Sequence, residues 1–207
     1  MVLKKFMGNE IILVGAFTEM CELANICSKK IVGIIDNNIK GSFYGIPIIG
    51  TDDDAPLLFA LYSKTPIVIS PDKPNIRKKL VEFYSNIGFV FTELISPLAT
   101  ISPTAEIGKG TVIQSLCNVS SDTKIGDFCK LNTLANVMHD NVIGNFTTIA
   151  PNAVLLGHVK IGESSYIGAN STILPMKEIS DNVMVGAGAV VTQNIPSDHI
   201  VKGVPAR

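Results

Sequence analysis

Apolar residues follow two different rhythms along this chain. From Ile95 onward every sixth residue is Ile, Leu or Val, and the ladder runs for seventeen rungs to Val191 without a miss. A helical period of 3.6 would drift off six within a few turns, so no helix explains it. A fixed six-residue repeat is the signature of a parallel β-helix. Each hexad supplies a short strand and a turn, and three hexads close one triangular coil of 18 residues. The rung points into the prism and stacks on its equivalents above and below. The residue four further on also faces inward, so it should be small. Ala99, Ala105, Thr111, Cys117, Thr123, Cys129 and Ala135 obey, whereas Asn141 and Lys177 do not. Glycine follows the rung at Gly108, Gly126, Gly144 and Gly162, which predicts a tight turn at one corner of successive coils. Such solenoids leave faces and ends open, so oligomerisation is expected.

Before the ladder the rhythm changes. Ile11–Val14 reads as a strand ending at Gly15, and Phe17–Lys29 carries a helical pattern. Ile31–Ile35 reads as a second strand ending at Asp36, and Pro66–Ser70 as a third. Asn75–Asn86 is a basic-faced helix, and Phe89–Thr92 leads into the prism. This alternation predicts a small parallel α/β, Rossmann-like domain over residues 1–94, ahead of an all-β prism over residues 95–207. In such a domain the first strand–helix turn and the acidic residue ending strand two border a nucleotide-binding crevice. Asp36 can accept from a ribose hydroxyl or a base N–H, and the helix after Gly15 can present its N-terminus to a phosphate. The turn reads Gly15-Ala16-Phe17-Thr18-Glu19-Met20 rather than GxGxxG, which argues against a dinucleotide. Equally, Gly15 can make a tight turn and Asp36 cap a strand with no ligand at all.

Composition narrows the field. A net charge of −1 gives no electrostatic case for nucleic acid or an anionic membrane. The 46% apolar content is spread through the repeat, and no run approaches a membrane span, so no stable insertion is expected. The N-terminal lysines and the apolar stretch after them read as a first strand and not as a signal peptide. Four cysteines form no CxxC pair, and Cys117 and Cys129 fall on inward positions, as expected of a reduced, cytoplasmic protein.

Three histidines are present. The rungs at Val137 and Leu155 lie one coil apart, so His139 should stack beside Gly157. His139 can serve as a general base near neutral pH. Asp140 can hold one ring nitrogen and raise the basicity of the other, and the Gly157 amide can donate to a developing oxyanion. The alternative is that His139 is a solvated turn residue; His158 and His199 are read that way here.

The combination of HD at His139–Asp140, IGNF from Ile143, IGANS from Ile167, VGAGAVVT from Val185 and a terminal GVPAR resembles the left-handed β-helix acyltransferases that N-acetylate nucleotide-linked 4-amino-4,6-dideoxy sugars, and their sialic-acid O-acetyltransferase relatives. The resemblance implies a catalytic role for His139, Asp140 and Gly157. It implies acetyl-CoA contacts at Ala169 and Ala187, and at Thr148, where family members often carry a histidine. It implies nucleotide-sugar contacts at Gly15, Ala16, Phe17, Asp36 and Asn37. It further implies a homotrimer that binds acetyl-CoA between prisms, transfers the acetyl group directly, and needs neither a metal nor a covalent cysteine intermediate.

Two other acceptors or roles stay open. O-acetylation of a sugar or sialic acid would use the same base, and a non-catalytic nucleotide-binding scaffold would explain the odd Gly15–Met20 turn. A metal lyase on the same prism needs three closely spaced histidines, and His139, His158 and His199 read as too far apart in register.

Overall fold

A computed structural model describes residues 8–207, so the two lysines ahead of the first strand lie outside the described residues. The chain divides into two compact units. One comprises the residues up to Pro71 together with Leu80–Thr92; the other comprises Asp72–Lys79 and Glu93–Arg207. The domain bounds drawn from the sequence place residues 72–79 in the first domain, whereas these residues group with the second unit.

The first unit is built on a five-stranded sheet. Its elements are β1 (Glu10–Val14), α1 (Thr18–Ile26), β2 (Lys30–Ile35), β3 (Ser42–Phe43), β4 (Ile46–Gly50), a 3₁₀ turn (Asp52–Asp54), α2 (Ala55–Tyr62), β5 (Ile67–Ile69) and α3 (Pro74–Ile87), the last continuing from the second unit. The strand order is β3-β4-β2-β1-β5, parallel throughout except for β3 against β4. β1 lies inside the sheet, and Ile11, Ile12, Leu13 and Val14 are all buried. An unbroken apolar run is what a parallel strand covered on both faces requires. The β3–β4 hairpin and α2 were absent from the sequence reading. Tyr44 and Gly45, both at positive φ, form the two-residue turn of that hairpin. Among the described residues no helix is long and apolar enough to cross a membrane.

The second unit is a three-faced parallel β-helix. Its strands are two residues long, and each pairs in parallel with the strand one coil away: Val119 with Ile101 and Val137, Ile125 with Ile107 and Ile143, Ile149 with Leu131 and Ile167. The rungs from Ile113 to Val191 are buried and form one continuous core. The last coil is two residues short, because Val185 pairs with Val201 and Ile179 bridges Ile195.

The corners correct one sequence expectation. From Ile107 to Val185 the left-handed backbone falls on the third residue after each rung, including Asp122, Asp140, Asn152, His158, Asn170 and Asn182, and not on the glycines that follow the rungs. Asn and Asp tolerate that region best among side-chain-bearing residues. The glycines serve close backbone stacking instead. A Cβ on Gly144 would sit 2.6 Å from the Gly162 carbonyl carbon and 2.7 Å from the Glu163 nitrogen. Gly144→Ala should therefore cost about 1–3 kcal/mol of stability, read as a lowered denaturation midpoint in guanidinium. An unchanged midpoint would show that the coils can separate freely.

Small inward residues also have polar work. The hydroxyls of Thr111, Thr147 and Ser165 donate to the carbonyls of Gly126, Gly162 and Ser180. Cys117 and Cys129 use their thiols in the same way, 3.1 Å from the carbonyls of Asn132 and Gly144. Burial pushes these thiols up to about 11 and about 12, which keeps them protonated and inert. Asn141, an exception to the small-residue rule, is fully buried and satisfied: it donates to the Met138 carbonyl and accepts from the Val159 N–H.

Residues 72–79 bring a buried cation to the prism. Arg77 is 1% exposed. Its guanidinium donates to the carbonyls of Phe128 (2.7 Å), Phe146 (2.6 Å) and Asp72 (3.0 Å), and to the Thr148 hydroxyl (2.9 Å). Burial lowers its pKa to about 10, against the favourable field of the Asp72 carboxylate, so it remains charged at neutral pH. The Asp72 carboxylate accepts from Asn132 and from Tyr166, and it lies 3.6 Å from the buried Lys130 ammonium. The sequence reading saw only a basic helix face here, because burial of a charge is not visible in a linear pattern.

Candidate active site

Val137 and Leu155 are paired rungs on one face of the prism. Two residues after each, the chain reaches the same corner with His139 and Gly157. The register predicted this meeting, and the structure makes it tight. A Cβ on Gly157 would lie 2.6 Å from His139 Cε1 and 2.8 Å from Nε2, so the imidazole rests against bare backbone. Asp140 follows in left-handed geometry, φ 59°, and its Oδ2 lies 2.7 Å from His139 Nδ1. This contact favours the tautomer with the proton on Nδ1, leaving Nε2 as a proton acceptor. His139 and Asp140 are exposed, so a substrate can reach them.

The sequence pattern leaves His158 a solvated turn residue, one position along from Gly157, and sets the three histidines too far apart to act together. The structure corrects this. Its ring stands edge-on to that of His139, centroids 5.3 Å apart, and its Nε2 lies 3.7 Å from Asp140 Oδ2. The one-residue offset from Gly157, at a corner turned outward by φ 60°, is the signal that could have placed it there. His199 is elsewhere, bonded to the Ser197 carbonyl.

Corner amides differ in whether the next coil caps them. At the corner carrying Lys109, Asp127 and Glu163, each N–H donates to the side chain one coil on, namely Asp127, Asn145 and Asp181. Gly157 is followed one coil later by Pro175, and Ala169 by Ala187, neither of which offers an acceptor. Among the described residues the N–H groups of Gly157, Ala169 and Ala187 have no hydrogen-bond partner. Ala169 and Ala187 share a corner, but it is a different corner from that of His139 and Gly157. One prism does not bring the two pairs together.

Thr148 is corrected as a cofactor contact. It is fully buried, its hydroxyl donates to the Asp72 carbonyl and accepts from Arg77, and no surface of it is left for a ligand.

In the first unit, Gly15, Ala16 and Phe17 follow β1, and Asp36 and Asn37 follow β2, all at the carboxyl edge of the sheet where α/β folds bind ligands. Gly15 has φ 96°, and a Cβ there would meet the Phe17 ring. Asp36 holds this edge together: it accepts from the backbone N–H groups of Ala16, Asn38 and Ile39. Burial alone would raise its pKa, but these three donors hold it below the usual carboxylate range. Its oxygens thus shape the turn, which matches the strand-cap reading. Asn37 exchanges hydrogen bonds with Asp52, which also accepts from Tyr84 at 2.6 Å.

The family described as bacterial transferase hexapeptide (six repeats) matches residues 142–175. The acetyltransferase domain of PglB from Neisseria gonorrhoeae, solved in complex with acetyl coenzyme A, is 32% identical with a TM-score of 0.89, covering 97% of this chain and 98% of that one. PerB from Caulobacter crescentus, in complex with CoA and GDP-perosamine, is 27% identical with a TM-score of 0.90, covering 98% of this chain and 97% of that one. An uncharacterized protein of Acanthamoeba polyphaga mimivirus is 37% identical over 85 residues, which is 41% of this chain and only 16% of that protein.

Proposed function

This chain belongs to the left-handed β-helix sugar N-acetyltransferases, and from that premise we propose that it moves the acetyl group of acetyl-CoA onto the amino group of a nucleotide-linked 4-amino-4,6-dideoxy sugar. The observation that carries the reading is His139, with Nδ1 2.7 Å from Asp140 and its ring seated on Gly157. Nε2 of His139 takes a proton from the sugar amine as the nitrogen attacks the thioester carbonyl. The free Gly157 N–H donates to the oxyanion, and the C–N bond forms as the C–S bond breaks and CoA thiolate leaves. The unpartnered N–H groups of Ala169 and Ala187 hold the pantetheine chain. Because they stand on another edge of the prism, the cleft is formed by facing edges of neighbouring subunits in a homotrimer. The turn of Gly15, Ala16 and Phe17, shaped by Asp36 and flanked by Asn37, receives the nucleotide. The buried, protonated thiols of Cys117 and Cys129 fit a reducing, cytoplasmic setting in which such sugars are prepared for glycan assembly.

The test is acetyl transfer followed by product mass, comparing UDP-, dTDP- and GDP-linked 4-amino sugars with hydroxyl acceptors. Acetylation confined to the amine is expected. A thermal-shift panel of the same sugars with acetyl-CoA present should show stabilisation by one nucleotide class. Acetylation of hydroxyl acceptors alone would overturn N-transfer, and no turnover with any acceptor would leave a binding scaffold.

A further inference from the structure

His158 takes no part in the transfer just described, yet it completes a second constellation on the same corner. His139, Asp140 and His158 each offer a ligand atom, and these atoms lie within 4.8 Å of one another. Two imidazoles and one carboxylate are a donor set suited to zinc and related divalent transition ions, and three protein ligands leave a position for water. The atoms that converge on Asp140 Oδ2 are His139 Nδ1 at 2.7 Å and His158 Nε2 at 3.7 Å. Tetrahedral zinc with bonds near 2.0–2.1 Å places its ligands about 3.3 Å apart. Asp140 and His158 are held on stacked corners of a rigid solenoid, and all three side chains are exposed, so small rotations bring them to that spacing.

We propose that this corner is an inhibitory binding site for a divalent transition ion such as Zn²⁺, which resting on the base assignment above would silence transfer. The reason lies in the tautomer. A neutral imidazole carries one proton. When a metal takes Nδ1 of His139 in place of the Asp140 contact, that proton moves to Nε2. The atom that must accept the proton of the amine then becomes a donor, and Asp140 is withdrawn into the coordination sphere. No metal takes part in the acetyl transfer itself. The ion acts as a brake on the base.

His158→Asn separates the two roles. Asparagine already occupies the equivalent left-handed corner at Asn152, Asn170 and Asn182, so the backbone geometry is retained. Metal-stripped full-length protein is titrated with ZnCl₂ by calorimetry, and with CoCl₂ by visible absorption. Transfer is assayed in parallel by product mass, because Zn²⁺ also binds the released thiol. The wild type is expected to bind one ion per chain at this site, to give the intense absorption of low-coordinate cobalt, and to lose at least ten-fold of its activity, restored by EDTA. His158→Asn should keep metal-free activity within two-fold and weaken both metal binding and inhibition at least ten-fold. Absence of binding, or binding equally strong in His158→Asn, overturns the site. Binding that depends on His158 but leaves transfer untouched overturns the base role of His139 instead, so the two failures are told apart.

Discussion

Replacing His139 by alanine is expected to lower kcat by about 10²–10⁴-fold while leaving the thermal midpoint and the stabilisation by acetyl-CoA close to those of the wild type. The effect is large because the corner offers no substitute of equal placement. In the proposed mechanism the variant keeps the Gly157 amide to polarise the thioester, but the attacking amine loses its proton acceptor. His158 cannot replace it. Its Nε2 lies 3.7 Å from Asp140 Oδ2, whereas it is the His139 ring that rests on Gly157. Activity measured at saturating sugar and acetyl-CoA checks this. Turnover within a few-fold of wild type would remove His139 from the mechanism. Asp140→Asn refines the result: an amide can still meet Nδ1 but carries no charge to stabilise the imidazolium, so an intermediate loss is expected.

Arg77→Ala is expected to give the largest loss of stability. The buried guanidinium is shared among the carbonyls of Phe128, Phe146 and Asp72 and the hydroxyl of Thr148. Its removal strands these acceptors and leaves the Asp72 carboxylate without one of its neighbouring cations. Breaking such a buried charged network costs about 3–5 kcal/mol. For a chain of this size that corresponds to a fall in Tm of about 10 °C. Arg77→Lys should recover only part of it, because one ammonium cannot reach carbonyls in two separate coils as a planar fork does. A Tm for Arg77→Ala within about 2 °C of wild type would show that water satisfies these groups equally well. Phe128 and Phe146 stack in parallel with centroids 5.5 Å apart, so the two carbonyls Arg77 joins belong to corners already locked together.

The prism was legible because its period is set by a local rule. Every coil repeats the same backbone, so an inward rung must recur every six residues, and spacing alone carries His139 to Gly157. The turn chemistry was not legible in the same way. Glycine after the rung suggested a left-handed turn, whereas the constraint is backbone crowding between stacked coils, and the left-handed positions hold Asp140, His158 and Asn170. In the α/β unit, β1 and β2 were plain from their apolar runs, but the β3–β4 hairpin was not, because β3 is only two residues long and β4 carries a proline, Pro47, near its start.

The sequence by itself determined the solenoid, the α/β unit before it, and the pairing of His139 with Asp140 and Gly157, since each follows from short-range pattern or from an exact 18-residue register. Only the tertiary structure decided which polar groups are spent inside the protein and which remain for chemistry. Thr148 lost its role as a contact because Arg77, 71 positions earlier, claims its hydroxyl. His158 came to lie beside His139 and Asp140 because a left-handed corner turns it toward the carboxylate of the coil below. Both outcomes depend on hydrogen bonds between residues distant in the chain, and no linear pattern records where such partners meet.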